Sequence, residues 1–200
     1  AERRVAIKQV LPQLAGDAKF VEMFNDEMRV SVLLSHRNIC RIFNAGVIDS
    51  CLYMAMEFID GLSLAALLQT VWSRGIAFPP EHALYLVAEV LEGLHAAHTQ
   101  VDTQGNPLGL VHRDVSPQNV LVSRQGEVKV IDFGVAKAAS NSSKTRTGAV
   151  KGKILYLSPE QLQAVQLDAR SDLYAAGLVL YQLLCRSEEH TSELQSRYVI

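Results

Sequence analysis

Three side chains whose oxygen atoms can act as ligands lie in the middle of the sequence, at a spacing suited to phosphoryl transfer. Asp114 ends the tripeptide His112-Arg113-Asp114, Asn119 follows five residues later, and Asp132 begins the tripeptide Asp132-Phe133-Gly134. Phosphoryl transfer needs a carboxylate that holds the acceptor hydroxyl and hard oxygen ligands that hold Mg²⁺ against the phosphates. The pattern therefore predicts that Asp114 orients the hydroxyl and that Asn119 and Asp132 bind Mg²⁺.

Either tripeptide alone occurs by chance, so the order of motifs along the whole chain carries the prediction. The apolar segment Val5-Ala6-Ile7 ends in Lys8, and Glu27 follows in a predicted helix. Ser158-Pro159-Glu160 and Ser171-Asp172 come after the central motifs. This ordered set resembles the protein kinase family, specifically the eukaryotic-like serine/threonine kinases of bacteria, over residues 1–185.

The resemblance implies an α+β, bilobal protein-kinase-like fold. Residues 1–58 would form a partial N-lobe, which contains a small antiparallel sheet and a helix and ends at the start of the hinge. Residues 59–185 would form a mostly helical, truncated C-lobe. The residue patterns agree with this division, because alternating apolar residues predict strands and a 3.6-residue period predicts helices. The predicted strands are Val5–Leu11, Ile39–Val47 and Leu52–Phe58, and the predicted helices are Phe20–Leu34, Leu64–Trp72, Pro80–Thr99 and Asp172–Cys185.

The resemblance also implies ATP and Mg²⁺ as cofactors and assigns residues to them. Lys8 would neutralise the α and β phosphates, and Glu27 would pair with Lys8 once its helix docks inward. A solvated surface acid is the alternative for Glu27. The hinge would bind the adenine edge through backbone groups, and two apolar residues would cover the ring, although both are equally compatible with an ordinary core. The hinge residues are Met56 (the gatekeeper), Glu57 and Phe58, and the covering residues are Ala6 and Leu121.

Regulatory and supporting roles follow from the same resemblance. Arg113 would pair with a phosphorylated activation loop, and a merely flexible loop is the alternative. His112 and Phe133 are expected to pack in the core, and Asp172 to accept hydrogen bonds from the backbone near His112. The candidate phosphoacceptors are Ser142, Ser143, Thr145 and Thr147, of which the two threonines are preferred.

Two departures from the family pattern occur as a reciprocal exchange. Ser116 stands where most serine/threonine kinases have a lysine, and Lys153, after Gly152, stands where they have a threonine. We hypothesise that Lys153 supplies the catalytic positive charge from the opposite wall of the site. The alternative is that Lys153 is one of several solvated basic residues of this loop.

Composition limits the partners. The net charge of −2 gives no electrostatic reason to expect nucleic acid, and no apolar run is long enough to span a bilayer, so no membrane contact by this fragment is expected. Three scattered cysteines suggest neither a disulfide framework nor a zinc site, which favours a cytoplasmic protein. Protein substrates are the expected partners, since 28 residues separate Asp132 from Glu160 and resemble a long activation segment. The oligomeric state is left open.

Both ends of the chain differ from the family pattern. The chain begins at the strand that carries Lys8, so we expect the glycine-rich loop to be missing. Residues 186–200 form a polar run unlike the family's continuation, and we interpret them as a disordered artefact of a translated sequencing adapter. The main hypothesis is therefore a fragment of a protein serine/threonine kinase. The alternatives are a pseudokinase or interaction module, an inactive truncated fragment, and a small-molecule phosphotransferase of the same fold.

Overall fold

The computed structural model describes residues 4–9, 21–22, 24, 28, 31–48, 51–133, 155–163 and 165–185. Two small antiparallel sheets and a set of helices make up this part of the chain. The first sheet contains β1 (Val5–Gln9), β2 (Ile42–Ile48) and β3 (Cys51–Glu57), in the order β1-β3-β2. Its register places Lys8 opposite Met54 and Ala6 opposite Met56. The predicted N-lobe sheet is confirmed, with strand ends shifted by a few residues.

A helix packs with this sheet around a small apolar core. The described residues Val21, Glu22, Phe24, Met28 and Ser31 are helical, as predicted for this segment. Phe24 and Met28 are buried together with Ile42, Leu52 and Met54. Glu27 lies outside the described residues.

The second sheet lies in the C-lobe and carries residues on either side of the catalytic motifs. It contains β4 (Gly61–Ser63), β5 (Val120–Ser123) and β6 (Val128–Val130), in the order β4-β5-β6. Gly61 begins β4. A Cβ atom at Gly61 would lie 2.0 Å from the Val122 carbonyl oxygen, so the close pairing of β4 with β5 requires glycine.

The described part of the C-lobe also contains the α-helices α1 (Leu64–Ser73), α2 (Pro80–His98), the short α3 (Pro159–Leu162) and α4 (Ala169–Cys185). The Ser63 side chain caps α1 by accepting a hydrogen bond from Ala66 N, and Pro80 lies at the first position of α2. The large core joins α2, α4 and the second sheet; Leu94, Val120, Val130 and Val179 are among its buried residues. Helix α4 begins three residues before the predicted Asp172.

The two lobes are connected by backbone hydrogen bonds as well as by the chain. Cys40 N donates to Val130 O at 2.9 Å, and Val130 N donates to Asn38 O at 2.8 Å. Strand β6 therefore pairs, in parallel, with the segment that leads to β2. Since Asp132 lies two residues after Val130, the position of this carboxylate is tied to both lobes. The polar run 186–200 lies outside the described residues.

Candidate active site

One buried carboxylate holds the backbone of the catalytic loop, which lies between Leu110 and Val120. Asp172, in the first turn of α4, accepts hydrogen bonds from His112 N at 2.7 Å and from Arg113 N at 2.8 Å. His98, at the end of α2, lies 2.7 Å from the same carboxylate through Nε2. These contacts confirm the predicted role of Asp172 and add His98, which no sequence motif indicated.

His112 packs in the core, as predicted, and its ring nitrogens have distinct roles. Nε2 lies 2.8 Å from Ile131 O, and Asp114 N lies 3.2 Å from Nδ1. A carbonyl oxygen can only accept and a backbone N–H can only donate, so Nε2 carries the proton and Nδ1 accepts. The ring is fully buried and meets Phe133 edge-on, with centroids 4.5 Å apart. His112 thus links the two catalytic motifs instead of serving as a proton carrier.

Asn119 and Asp114 form the centre of the site. The amide nitrogen of Asn119 donates to Asp114 O at 2.7 Å and to Asp114 Oδ2 at 2.8 Å. This pair fixes the side chain of Asp114 in the loop. Because both hydrogen bonds use the amide nitrogen, the amide oxygen of Asn119 is the group available to a hard cation.

Asp132 lies between the lobes and contacts Lys8. Lys8 Nζ is 2.5 Å from Asp132 Oδ2, and the Lys8 side chain is 45% exposed while that of Asp132 is 17% exposed. The other carboxylate oxygen, Oδ1, is buried and has no hydrogen-bond partner in the described part of the chain. A buried, unpaired carboxylate oxygen is costly, and a divalent cation is one group that would satisfy it. Together with the Asn119 oxygen, it fits a Mg²⁺ ligand set.

Two residues of the site have backbone angles in the left-handed region. Arg113 has φ of 70° and Asp132 has φ of 64°, and neither is glycine. Such conformations cost about 1–3 kcal/mol each and persist only where surrounding contacts hold them. Arg113 neighbours the predicted catalytic Asp114 and Asp132 is a predicted metal ligand, so among the described residues this strain lies at the site.

The predicted hinge overlaps the end of β3, and Glu57 is held there by contacts with Arg41 and Lys129. Glu57 N donates to Arg41 O at 2.8 Å, so this amide is already used, and an adenine donor would have to come from Phe58 or Ile59. The Glu57 carboxylate contacts Lys129 Nζ at 3.0 Å. Lys129 was not predicted as a site residue, although a lysine between two valines of a buried strand was a visible signal.

The other residues predicted to contact the nucleotide lie in the two sheets and in a cavity between the lobes. Ala6 lies in the first sheet and Leu121 in the second, between β4 and β6. Met56 and the Asp132–Phe133 pair line the same small cavity between the lobes. The burial of the Cys40 thiol in this cavity, reinforced by the charge of Glu57, raises its pKa to about 12.

A larger groove lies beside the catalytic loop. Its volume is about 750 Å³ and its floor includes Pro117 and Gln118 from the loop and Tyr156 from the segment before α3. The Tyr156 hydroxyl donates to the side chain of Gln182 in α4. Every described residue that lines the groove is uncharged: Ser63, Ala65, Ala66, Leu68, Gln69, Trp72, Ser73, Pro117, Gln118, Leu155, Tyr156 and Gln182.

The exchange hypothesis involves one described residue and one that is not. Ser116 is buried, and its hydroxyl has no hydrogen-bond partner among the described residues. Lys153 and the candidate phosphoacceptors 142–147 lie outside the described residues, as does Glu27.

The comparison with a family model decides the family. The model described as "Protein kinase domain" matches residues 1–198. The chain belongs to the protein kinase family. None of the helices in the described part of the chain is both long and apolar enough to cross a membrane.

Curated relatives come from several bacteria. The chain is 42% identical over 183 residues to "Tyrosine-protein kinase MasK" of Myxococcus xanthus, covering 92% of this chain and 28% of that protein. It is 38% identical over 183 residues to "Serine/threonine-protein kinase PknL" of Mycobacterium tuberculosis, covering 92% of this chain and 43% of that one. The chain therefore spans less than half the length of these relatives.

A solved structure gives the same fold. The kinase domain of PknI from Mycobacterium tuberculosis aligns with a TM-score of 0.69 at 28% identity, over 92% of this chain and 64% of that one. This match confirms the α+β, bilobal kinase fold predicted from the sequence.

Proposed function

We propose that this kinase domain transfers the γ-phosphoryl group of ATP to serine or threonine hydroxyls of proteins. The observation that carries the proposal is a pair of contacts among the predicted residues: Asn119 with Asp114 inside the C-lobe, and Lys8 with Asp132 across the lobes. Lys8 and Asp132 are 124 positions apart in sequence, yet their side chains are in direct contact. The family gives the reaction class, and the contacts support the proposed roles.

Asp114 is proposed to hold and deprotonate the acceptor hydroxyl. Its side chain accepts from Asn119, and its backbone N–H donates to His112, so the carboxylate has a defined direction. A positioned general base contributes about a hundredfold to ten-thousandfold to a rate. Asn119 therefore has two roles, since its nitrogen orients Asp114 while its oxygen remains for Mg²⁺.

Mg²⁺ bound to ATP would neutralise charge that develops on the phosphates during transfer. Asp132 and Asn119 are proposed to hold this cation, and Lys8 to contact the phosphates. Lys8 reaches this position from β1, whose register with β3 also places Ala6 opposite Met56 at the proposed adenine site. One short strand would thus position both ends of the nucleotide.

Protein substrates are supported by the groove beside Gln118 and by the long segment between Asp132 and Glu160. We propose serine or threonine as the acceptor because the catalytic loop lacks the alanine and arginine pattern that is typical of tyrosine kinases. PknL carries the serine/threonine name and MasK the tyrosine name, so the acceptor needs a direct test.

The test uses the protein expressed with its full natural sequence. Incubation with Mg²⁺ and γ-labelled ATP should label a generic basic protein, and acid hydrolysis should release phosphoserine or phosphothreonine. Asp114→Asn should lower kcat by about a hundredfold or more while ATP binding is retained. Release of phosphotyrosine alone would contradict the acceptor assignment.

A second candidate function is nucleotide binding without transfer. It is favoured by Ser116, whose buried hydroxyl has no hydrogen-bond partner in the described part of the chain and occupies the place where the family has a catalytic lysine. Nucleotide binding at full stoichiometry with no label transferred by the wild-type protein would support this candidate. A Lys153→Ala variant addresses the proposed exchange, since loss of turnover is expected if Lys153 supplies the missing charge.

A further inference from the structure

Gln161, in the short helix α3, bridges the segment before that helix and the catalytic loop. Its side-chain oxygen accepts a hydrogen bond from Ser158 N at 2.9 Å, and its side-chain nitrogen donates to Arg113 O at 2.8 Å. Both partners of the Gln161 side chain are backbone atoms, so neither bond needs a second side chain to be in place. No motif in the sequence assigned a role to this residue.

The bonded carbonyl belongs to the peptide unit that precedes Asp114. Its oxygen is held by Gln161, and its N–H, which is that of Asp114, donates to His112 Nδ1 at 3.2 Å. With both ends of the peptide fixed, rotation about the bonds that flank it is restricted. The starting direction of the Asp114 side chain is set by this unit, so the contact controls a catalytic group without touching substrate.

The need for such a contact is explained by the strained backbone at Arg113. This residue has φ of 70°, a conformation that few side chains adopt without external support. Asp172 holds its N–H at 2.8 Å from α4, and Gln161 holds its carbonyl from α3. Each of these two contacts holds one of the two peptide groups that flank the Arg113 Cα atom.

We propose that Gln161 is a positioning residue that couples the segment ending at Ser158 to the direction of the Asp114 carboxylate. The same segment contributes Leu155 and Tyr156 to the groove beside the catalytic loop. A change in this segment, such as occupation of the groove, is then transmitted to Asp114 through Ser158 and Gln161. The proposal rests on the proposed kinase function for its kinetic readout but not for its structural one.

Three variants of the protein with its full natural sequence separate positioning from stability. Gln161→Met keeps the length of the side chain and removes both hydrogen bonds. Gln161→Glu keeps the acceptor for Ser158 N and places a carboxylate oxygen against Arg113 O. Gln163→Met makes the same chemical change two residues later, at an exposed position of the same turn, and serves as the control.

The expected result is a kcat about tenfold to a hundredfold lower for Gln161→Met, with the ATP dissociation constant and the KM for ATP unchanged. Gln163→Met should retain the wild-type kcat. A purely structural role would instead lower the fraction of protein that binds ATP and leave the kcat of the bound fraction intact, and that outcome would overturn the proposal.

A pH profile gives a second kinetic readout. The introduced carboxyl of Gln161→Glu can donate to Arg113 O only when protonated, so its kcat relative to wild type should rise as pH falls from about 8 to about 5.5. The relative kcat of Gln161→Met should not change with pH. The titratable groups near this contact are His112, Asp114, Asp172 and Glu160, and they are common to all variants, so their effects cancel in the ratio. Identical pH profiles for the two variants would contradict the proposed bond.

Amide hydrogen exchange tests positioning without any phosphoryl transfer. The Asp114 N–H should exchange faster in Gln161→Met than in Gln163→Met, because its peptide unit has lost one of two anchors. Equal exchange in both variants would refute the coupling even if the enzyme is active. If exchange is faster in Gln161→Met than in Gln163→Met but the wild-type protein transfers no phosphate, the coupling is retained and only the proposed function is refuted.

Discussion

The buried carboxylate of Asp172 offers the sharpest test of how the catalytic loop is held. Its side chain is 1% exposed and receives two backbone N–H groups and the His98 ring. Asp172→Asn preserves the shape but leaves one acceptor oxygen in place of two. Whichever way the amide is turned, its nitrogen faces either His112 N or Arg113 N, and that buried donor loses its partner.

The magnitude follows from these contacts. One unsatisfied buried N–H costs about 1–3 kcal/mol, and the remaining bond loses about 1 kcal/mol when its acceptor is no longer charged. We therefore expect Asp172→Asn to lower the free energy of unfolding by about 2–4 kcal/mol. For a slope m of about 2 kcal/mol/M, the urea midpoint should fall by about 1–2 M.

The assay is urea unfolding followed by the fluorescence of Trp72, the single tryptophan of the chain. Asp168→Asn is the matched control, since Asp168 precedes α4 and pairs with Arg170 on the surface. This exposed pair should change the midpoint little. Equal midpoints for the two variants, at unchanged m, would refute the reasoning that Asp172 supports the loop.

Three further predictions concern residues around the cleft. Burial raises the pKa of Cys40 to about 12, so Cys40 should remain a thiol and resist alkylation at about pH 8. The exposed Cys185 should react under the same conditions, and equal alkylation rates for the two cysteines would contradict the prediction. Lys129→Met should lower the free energy of unfolding by about 1–3 kcal/mol, because the Glu57 carboxylate loses its ammonium partner. The Glu57 side chain is only 25% exposed, and urea unfolding measures the change. Gln118→Glu should raise kcat/KM for basic peptides about twofold to fivefold relative to neutral ones, because it adds a carboxylate to a groove whose described lining residues are uncharged. Peptide pairs that differ in one residue measure this ratio, and an unchanged ratio would argue against substrate binding there.

The fold and the family could be predicted from the sequence more completely than the contacts that support the site. Asp114, Asn119 and Asp132 could be proposed as site residues because each lies in, or at a fixed distance from, a motif that the reaction requires. The strands around Lys8 and Met56 followed from the alternation of residue types along the chain. In contrast, the pairing of Lys129 with Glu57 joins residues 72 positions apart, and no periodic pattern relates them. Such contacts depend on tertiary geometry alone.

The strained backbone of Arg113 and Asp132 needs supporting contacts from other elements. The left-handed conformations of Arg113 and Asp132 are invisible in the sequence, since neither position is glycine. Each needs an anchor on either side, and the anchors come from distant elements. Asp172 and Gln161 hold Arg113, while Lys8 contacts Asp132 and Ser31 donates to the following Phe133 O at 3.3 Å.

This arrangement links catalysis to the relation between the lobes. Lys8 and Ser31 belong to the N-lobe, so the conformation of Asp132 depends on that lobe remaining in place. The described hydrogen bonds of the Arg113 backbone come from α3 and α4 of the C-lobe. A disturbance of the N-lobe should therefore displace the proposed metal ligand more than the base, whereas a disturbance near Ser158 should do the reverse. The two carboxylates that the sequence singled out together thus have separate supports, and His112, which contacts Ile131 O and Asp114 N, links them.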